Sequence, residues 1–487
     1  MIYRMEKQIS KLEPAALWSL FAEILKIPRS SGHEEKIADW ILDFAKVHGI
    51  AAIRDLAGNL ILKVPPSPGR EHSPSVLLQG HLDMVAVAAP GVVHDFLHDP
   101  IDAYIDEGWL KARGTTLGAD DGLGLATALA LLADPTLQHG PLGAIFTTAE
   151  ETTMKGATSL DPRHLDADYL VNIDSEINGY LYVSCAGSCD LKARCRLTRV
   201  PGESGTPLQV ILSGCCGGHS GTDIGKGSAN AITLLCSLLS GLASDFEFGL
   251  GSIDGGTVRN AIPSECRCTL MLSPKHDPKV FAAALTQAFS LQQPRYDETD
   301  PDLKLEIRST GAFTPATVQS TLKLLKLAGL MPQGVLCMSK LDPEVVETSS
   351  NPGVISTTED EVSLCTLLRS LKEQVMDKVI ARVSASCNDL GDTQFTADNR
   401  LPCWDSPSSN GIITALNQAF LEVSGRPFKI SAIHAGLECA VFACCAPHLQ
   451  LVSVGPTIIS PHSPEERADI AGASQIYQTL RRTLAAL

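Results

Sequence analysis

The sequence predicts an α/β fold: a mixed central sheet flanked by helices and interrupted by an inserted α+β domain. Two observations predict it. Apolar runs of strand length alternate with helical patterns before residue 186 and again after residue 402, as is typical of an open α/β sheet. In the middle of the chain, predicted strands and helices alternate in a different pattern. This pattern favours an inserted domain whose sheet is covered on one side. We therefore expect one domain made of residues 1–186 and 402–487, interrupted by a second domain of residues 187–401.

The composition limits the classes of partner that the protein is expected to bind. A formal net charge of −16 without a long basic run argues against nucleic acid and against an anionic membrane surface. The charged amino terminus lacks a signal-peptide core, and the apolar runs 123–133 and 229–242 are too short or too interrupted to span a bilayer. The 15 cysteines form no Cys-x-x-Cys pair, which favours free, mostly buried thiols in a reducing cytosol. We expect a cytoplasmic protein.

Two helices are predicted at the start of the chain. The second has a capping box at Ser31 and Glu34, and Gly49 ends it. Strands 51–54 and 60–64 follow, and a Pro-rich loop leads to the central strand, residues 76–79.

His81 and Asp83 follow this central strand directly. Side chains two residues apart on a strand point the same way. An imidazole beside a carboxylate suits a metal site, in which one group ligates and the other orients it. Taken alone, a His-x-Asp pair is more often a surface or satisfied-core feature.

A glycine-rich loop, residues 114–122, places Asp120 and Asp121 just before a predicted helix at 123–132. Glycines permit the tight backbone that such a turn needs. Turns of this kind also bind phosphate at a helix N-terminus, but two carboxylates would repel a phosphate. A metal ion is therefore the better occupant.

Two further predicted strands end in acids. Strand 143–149 leads into Glu150 and Glu151, and strand 169–173 leads into Asp174, with Glu176 beyond it. Any one of these acids is more commonly a solvated cap. Their recurrence together with the preceding motifs indicates a site at the carboxyl edge of the sheet.

The remaining elements are predicted as follows. The insertion has strands at 208–212, 266–271, 304–307 and 379–384, and helices at 230–240, 278–289, 318–327 and 364–377. Its length allows two ferredoxin-like βαββαβ modules, although no internal repeat shows them. The last part has a helix at 410–423, a strand at 428–433, a helix opening at 435–438, a strand at 449–454 and a closing helix at 464–486.

Eight segments match motifs of one known family: 80–85 (Gly-His-Leu-Asp-Met-Val), 114–122 (Gly-Thr-Thr-Leu-Gly-Ala-Asp-Asp-Gly), 148–151 (Thr-Ala-Glu-Glu), 172–176 (Asn-Ile-Asp-Ser-Glu), 217–221 (Gly-Gly-His-Ser-Gly), 255–263 (Gly-Gly-Thr-Val-Arg-Asn-Ala-Ile-Pro), 434–438 (His-Ala-Gly-Leu-Glu) and the loop ending at His462. With these motifs the chain resembles the co-catalytic zinc peptidases, which include glutamate carboxypeptidases and tripeptidases. Within that family it is most similar to the aminoacyl-histidine (Xaa-His) dipeptidases. The resemblance covers nearly the whole chain.

The resemblance implies two zinc ions bridged by Asp120, with cobalt or manganese as substitutes. One ion would also bind His81 and Asp174, and the other Glu151 and His462.

The resemblance assigns two further roles near the metals. Asp83 would orient the histidine ligand or tune the charge of the first metal. Glu150 would be the general base, because a water shared by two cations has a lowered pKa and a nearby carboxylate can pass its proton to the leaving amine. In the family the Asp120–Asp121 peptide is cis, which the flanking glycines permit.

The resemblance implies that residues 1–186 and 402–487 form the catalytic domain and residues 187–401 its lid domain. Three lid residues resemble groups that contact substrate. His219 would stabilise the tetrahedral oxyanion; a turn histidine is the alternative. Asn260 and Arg369 would bind the substrate backbone and its free carboxylate, a task suited to the planar guanidinium. Because Arg369 falls in the predicted helix 364–377, an ordinary surface arginine is the alternative. A lid on two linkers can hinge, and a homodimer in which His219 serves the partner's site is left open.

The leading hypothesis is a di-zinc dipeptidase that hydrolyses unblocked Xaa-His dipeptides, β-alanyl-histidine among them. A tripeptidase, a carboxypeptidase or an N-acyl-amino-acid deacylase would use the same catalytic residues, since specificity depends on pocket shape. A catalytically silent protein that senses a metal or peptide is the rival from another class. The intact set of five ligands with Glu150 argues against it.

Overall fold

The computed structural model describes residues 9–201, 204–340, 342–407 and 409–487. The chain divides into two compact units. The first unit runs to Ser184 and continues with Trp404–Ala432 and Leu437–Leu487, and the second unit holds Cys185–Cys403 with Ile433–Gly436. The α/β fold with an inserted α+β part, expected from the sequence, is confirmed.

The first unit is built on a mixed sheet of nine strands. Its path is Ala51–Arg54, Leu60–Val64, Leu142–Thr147, Val76–His81, Tyr169–Asn172, Gln450–Ser453, Tyr180–Cys185 and Trp404–Asp405, and Lys429–Ile433 pairs with Tyr180–Cys185. The four strands from Leu142–Thr147 to Gln450–Ser453 are parallel. Parallel strands end at one edge of the sheet. A second, four-stranded sheet consists of Ile458–Ile459, Arg467–Asp469, Trp109–Ala112 and Ala103–Asp106.

The helices of the first unit pack around its sheet. They are Ala15–Ile24, Glu35–Val47, Ala119–Leu132, Glu150–Thr153, Lys155–Ser159, Gly411–Ser424, Glu438–Cys445 and Ile470–Ala486, with a 3₁₀ turn at Pro162–Leu165. Every residue of Ala119–Leu132 and of Val76–His81 is buried. Their mostly apolar sequences are typical of elements that are buried on all sides.

Two details of the first unit differ from expectation. Ser31 and Glu34 do not form a capping box, since the helix begins at Glu35 without a side-chain cap; the Ser31 hydroxyl donates to Asp83 instead. The closing helix begins at Ile470 rather than at 464, because Arg467–Asp469 is a strand and Asp469 caps the helix by accepting two backbone N–H bonds.

The second unit contains an antiparallel sheet of nine strands. Their order is Lys304–Ser309, Thr206–Ser213, Cys266–Leu272, Phe248–Gly255, Val346–Thr357, Glu361–Ser370, Gly187–Arg196 and Thr393–Leu401, with Gly334–Met338 beside Val346–Thr357. Its helices are Ala231–Leu242, Pro278–Gln292, Val318–Leu330 and Glu373–Asp389, with 3₁₀ turns at Ile224–Lys226 and Gln293–Arg295. Burial alternates along Thr206–Ser213, as expected where one face of a sheet is covered. All nine strands join one sheet rather than two separate modules.

The predicted helix 364–377 and strand 379–384 are both wrong. Residues Glu361–Ser370 form a strand paired on both sides, and Glu373–Asp389 form a helix. A short leucine-rich run fits a buried helix and a buried strand equally well, and pairing with two neighbours decides for the strand. None of the helices in the described part of the chain is long and apolar enough to cross a membrane.

Candidate metal centre

The edge where the parallel strands end collects most of the predicted site residues. His81 ends its strand, Asp174 lies two residues beyond Tyr169–Asn172, and Glu150 and Glu151 begin the short helix after Leu142–Thr147. Ala149, which joins that strand to the helix, has a positive φ of 52°. A left-handed alanine is uncommon and is found where the backbone must turn sharply to aim side chains.

The first group of candidate ligands is His81, Asp120 and Asp174. The Nε2 atom of His81 lies 3.0 Å from Oδ1 of Asp120 and 3.2 Å from Oδ1 of Asp174. The His81 side chain is only 1% exposed. Its other nitrogen, Nδ1, lies 3.1 Å from the backbone carbonyl of Asp83, which leaves Nε2 to face the carboxylates.

The second group is Asp120, Glu151 and His462. The Nε2 atom of His462 lies 3.0 Å from Oδ2 of Asp120 and 2.9 Å from Oε2 of Glu151. Within each group the donor atoms lie within 4.8 Å of one another. Asp120 belongs to both groups and presents a different oxygen to each histidine. A third set within the same distance is His81, Glu150 and Glu151.

Asp83 holds the acidic turn in place. Its carboxylate accepts the backbone N–H bonds of Glu150 at 3.1 Å and Glu151 at 3.3 Å, and the Ser31 hydroxyl at 2.7 Å. Its Oδ1 lies 3.4 Å from Nδ1 of His81. The carboxylate therefore connects the His81 strand with the turn that carries the two glutamates.

The two neighbouring aspartates of the glycine-rich loop have different surroundings. Asp121 turns away from the histidine rings and accepts the backbone N–H bonds of His81 at 3.2 Å and Gly124 at 3.0 Å. The Asp120–Asp121 peptide bond is cis, as the resemblance implied. Only Asp120 therefore belongs to the groups of candidate ligands.

Two buried residues that the sequence did not indicate hold the loops of the site. Glu466 accepts backbone N–H bonds from Leu117, Gly118 and Ala119 at 2.7–3.0 Å. Arg29 is 2% exposed and donates to three backbone carbonyls on two loops, those of Leu82, Asp83 and Gly118. No motif contains them, and their partners lie far away in the sequence.

The pKa values of the site residues are shifted because many acidic side chains lie close together and are shielded from solvent. Burial raises the pKa of Asp174 to about 6, although the charge of His81 opposes the shift. Burial and then the Asp120 charge raise the pKa of Glu151 to about 7. Although burial opposes it, hydrogen bonding to Asp120 and Glu151 raises the pKa of His462 to about 11. These pKa shifts indicate that the buried carboxylates need a cation beside them in order to be charged.

These residues fit two divalent metal ions. Imidazole nitrogens and carboxylate oxygens are the ligands that zinc, cobalt and manganese accept. The Oε1 atom of Glu151 is buried and has no hydrogen-bond partner among the described residues. A buried carboxylate oxygen without a partner is costly, and a cation within the second group would satisfy it.

The three predicted lid residues lie in the second unit, and hydrogen-bond distances place them close together. The N–H of Ser220, next to His219, donates to the carbonyl of Asn260 at 2.8 Å. Nη2 of Arg369 lies 3.4 Å from Nε2 of His219. Asp223 fixes the histidine loop by accepting the His219 N–H at 2.7 Å.

Arg369 lies on the strand Glu361–Ser370, so both the predicted helix and the alternative of a surface arginine are wrong. The residue is 8% exposed, and its Nε has no hydrogen-bond partner among the described residues. Burial, and after it the neighbouring Arg259, lowers the pKa of Arg369 to about 10. The nearby carboxylate of Asp190 is 2.9 Å from Arg259. Arg369 is thus a buried cation with capacity to bind an anion.

Comparison with known proteins decides the family. The model of peptidase family M20/M25/M40 matches residues 77–486. The chain belongs to this family. As an M20 member it is a metallopeptidase, and its candidate metal centre lies within the matched residues.

Two relatives resemble this M20 chain over nearly its whole length. The cytosol non-specific dipeptidase of Escherichia coli is 37% identical over 480 residues, which is 98% of each chain. The crystal structure of an aminoacylhistidine dipeptidase from Vibrio alginolyticus has 35% identity and a TM-score of 0.84, with 98% of each chain covered. The aminopeptidase PepT of Bacillus cereus shares the fold, with a TM-score of 0.58 at 16% identity over 97% of this chain and 98% of that one.

Proposed function

We propose that this M20 peptidase hydrolyses unblocked dipeptides, Xaa-His dipeptides among them, using two zinc ions. The position of Asp120 carries the proposal, since its two oxygens face His81 and His462 separately, each 3.0 Å away. His81, Asp120 and Asp174 would hold one ion, and Asp120, Glu151 and His462 the other. When bound, the ions would supply a nucleophilic oxygen at neutral pH and stabilise charge on the scissile carbonyl.

Glu150 is the proposed general base. Its N–H is bound to Asp83, so the start of its helix is fixed, and a donor atom of its side chain lies within 4.8 Å of those of His81 and Glu151. Burial raises the pKa of Glu150 well above its usual range; the charge of His81 opposes this, and the carboxylates of Asp174 and Glu151 add to it. A carboxylate with a raised pKa can take a proton and release it to the leaving amine.

Two features support a dipeptide as substrate. Arg369 is a buried cation whose guanidinium suits the free carboxylate of a dipeptide, and its neighbour His219 suits a developing carbonyl oxyanion. The relatives that cover the whole chain are named a non-specific dipeptidase and an aminoacylhistidine dipeptidase. We propose cytoplasmic localisation on the same ground, from the name of the E. coli relative.

The test is amino-acid release from β-Ala-His, Gly-His, Ala-His, Ala-Ala and N-acetyl-His, with metal-free and zinc-loaded protein. Zinc-dependent cleavage of the free Xaa-His peptides is expected. Glu150→Gln should lower kcat by about 10²–10⁴-fold, the usual contribution of a general base. Glu35→Gln, the same change on an exposed helix position, is the control and should leave the rate unchanged.

Each other result has a distinct meaning. Equal cleavage of Ala-Ala would extend the specificity to dipeptides in general. Release from N-acetyl-His alone would replace the dipeptidase proposal by a deacylase. Zinc binding without cleavage of any substrate would favour the silent sensor.

A further inference from the structure

A line of buried polar side chains crosses the sheet of the first unit just below the candidate metal ligands. Its members are uncharged except for one carboxylate, and each is at most 2% exposed: Ser175, Ser453, Asn172, Gln79, Thr147 and Glu438. Four of them lie on the four adjacent parallel strands, at or near their carboxyl ends. Gln79 lies two residues before His81, and Asn172 two residues before Asp174.

The hydrogen bonds of this polar line run in one direction. Ser453 Oγ donates to Asn172 Oδ1 at 2.5 Å, and Asn172 Nδ2 donates to Gln79 Oε1 at 2.6 Å. Gln79 Nε2 then donates to Glu438 Oε2 at 2.5 Å. Each amide thereby uses its oxygen on one side and its nitrogen on the other, so the line requires an acceptor at its end.

Glu438 supplies that acceptor. Its Oε2 also receives the Thr147 hydroxyl at 2.6 Å, and Thr147 is three residues before Glu150. The side chain is fully buried, and its Oε1 has no hydrogen-bond partner among the described residues. Burying a carboxylate is costly unless its hydrogen bonds compensate. A residue that only packed against the sheet would not need a carboxylate.

We propose that Glu438 is a positioning residue for the metal centre: through Gln79 and Thr147 it fixes the ends of the strands that lead to His81 and to Glu150. This inference rests on the proposed function, because it concerns the same centre. Groups that orient ligands from behind commonly contribute 10–100-fold to metal affinity. The acceptor oxygen, rather than the charge, is what the line of donors requires.

The test compares Glu438→Gln with Glu438→Leu. Glutamine keeps an acceptor oxygen for Gln79 and Thr147, whereas leucine fills the space and leaves both donors only the carbonyl of Gly80, 3.0 Å and 3.3 Å away, as an acceptor. Zinc affinity of the metal-free protein, measured by competition with a chelating dye, should fall by about 10–100-fold in Glu438→Leu and stay within about threefold in Glu438→Gln. kcat on Gly-His at saturating zinc should follow the same order, with KM unchanged.

Asp168→Asn is the matched control. Asp168 joins Tyr169–Asn172 to Val76–His81 at the amino ends of these strands, since its carboxylate accepts both the N–H and the hydroxyl of Ser75 at 2.8 Å. This variant should keep its zinc affinity. Thr147→Val removes one donor from Glu438 with little change of shape, and it replaces Glu438→Leu if the leucine variant does not fold.

The outcomes separate the two proposals. Wild-type zinc affinity in a folded Glu438→Leu, with only its melting temperature lowered, would overturn the positioning role. A Glu438→Gln as impaired as the leucine variant would also overturn it, because the charge would then be what matters. A wild-type protein that binds no zinc would instead refute the proposed function.

Discussion

At the scale of single residues, Arg29 joins the two loops that form the floor of the candidate metal centre. One guanidinium satisfies the carbonyls of Leu82 and Asp83 on one loop and of Gly118 on the other. The Asp83 carbonyl also faces His81 Nδ1. Removing this cation would leave several buried carbonyls without donors, and each such group is costly.

Arg29→Met should therefore lower the free energy of unfolding of the metal-free protein by about 3–5 kcal/mol, because several buried carbonyls lose their donor at about 1–3 kcal/mol each. Arg54→Met is the control: Arg54 pairs with Asp39 at the surface, where the side chains are 32% and 70% exposed. It should cost less than about 1 kcal/mol. Urea unfolding followed by circular dichroism measures both, and equal losses would contradict the bridging role.

The candidate ligands that the structure brings together could be selected from the sequence, whereas the residues that hold them in place could not. His81 and Glu151 belong to short motifs, and a few neighbouring residues are enough to indicate their chemistry. Arg29 bonds to carbonyls 53 to 89 positions away, and Glu438 reaches a partner 359 positions away. A backbone carbonyl carries no residue identity, so no local pattern indicates these contacts.

At the scale of elements, strand register explains the surroundings of Arg369. Ser349 on Val346–Thr357 lies directly opposite Arg369 on Glu361–Ser370, and the Ser349 hydroxyl is 2.7 Å from Nε2 of His434. The sequence prediction of a helix at 364–377 missed this pairing, because a leucine-rich run gives no periodicity that separates strand from helix. Long-range pairing fixed what the local pattern left open.

This arrangement makes the second unit sensitive to acid. Burial, and after it the charge of Arg369, lowers the pKa of His434 from 6.5 to about 3. Between these values the unfolded chain binds a proton that the folded chain does not, so stability falls as the pH decreases from about 6.5 towards 3. The slope is at most about 1.4 kcal/mol per pH unit for one group.

His434→Gln removes this titration and can still hydrogen-bond to Ser349. Its stability relative to wild type should improve by about 1 kcal/mol between pH 7.5 and pH 5.5, as the linkage slope requires. Urea unfolding of both metal-free proteins at the two pH values measures the change, and subtracting wild type cancels the shared carboxylate contributions. A difference that does not depend on pH would show that His434 titrates normally in the folded state.

At the scale of the whole molecule, the change of sequence texture indicated an insertion, with expected limits at 187 and 401. The structure gives the second unit the continuous segment Cys185–Cys403 and adds Ile433–Gly436. Hydrogen bonds from the N–H of Ala186 to the carbonyls of Ile433 and Ala435 hold this short segment in place. Backbone bonds between distant segments leave no trace in composition, so a pattern-based boundary cannot include them.

All five candidate ligands lie in the first unit, which predicts a selective effect of metal on stability. Zinc binds only folded ligand groups, so each bound ion should stabilise the full chain by about 2.7 kcal/mol at a free concentration 100 times the Kd of its site. A fragment of residues 185–403, which has its own buried core, should gain nothing at the same concentration. Differential scanning calorimetry with zinc and with a chelator measures both proteins. Stabilisation of the fragment equal to that of the full chain would place the metal outside the proposed centre, and Asp120→Ala, which removes the ligand shared by both groups, should abolish the gain in the full chain.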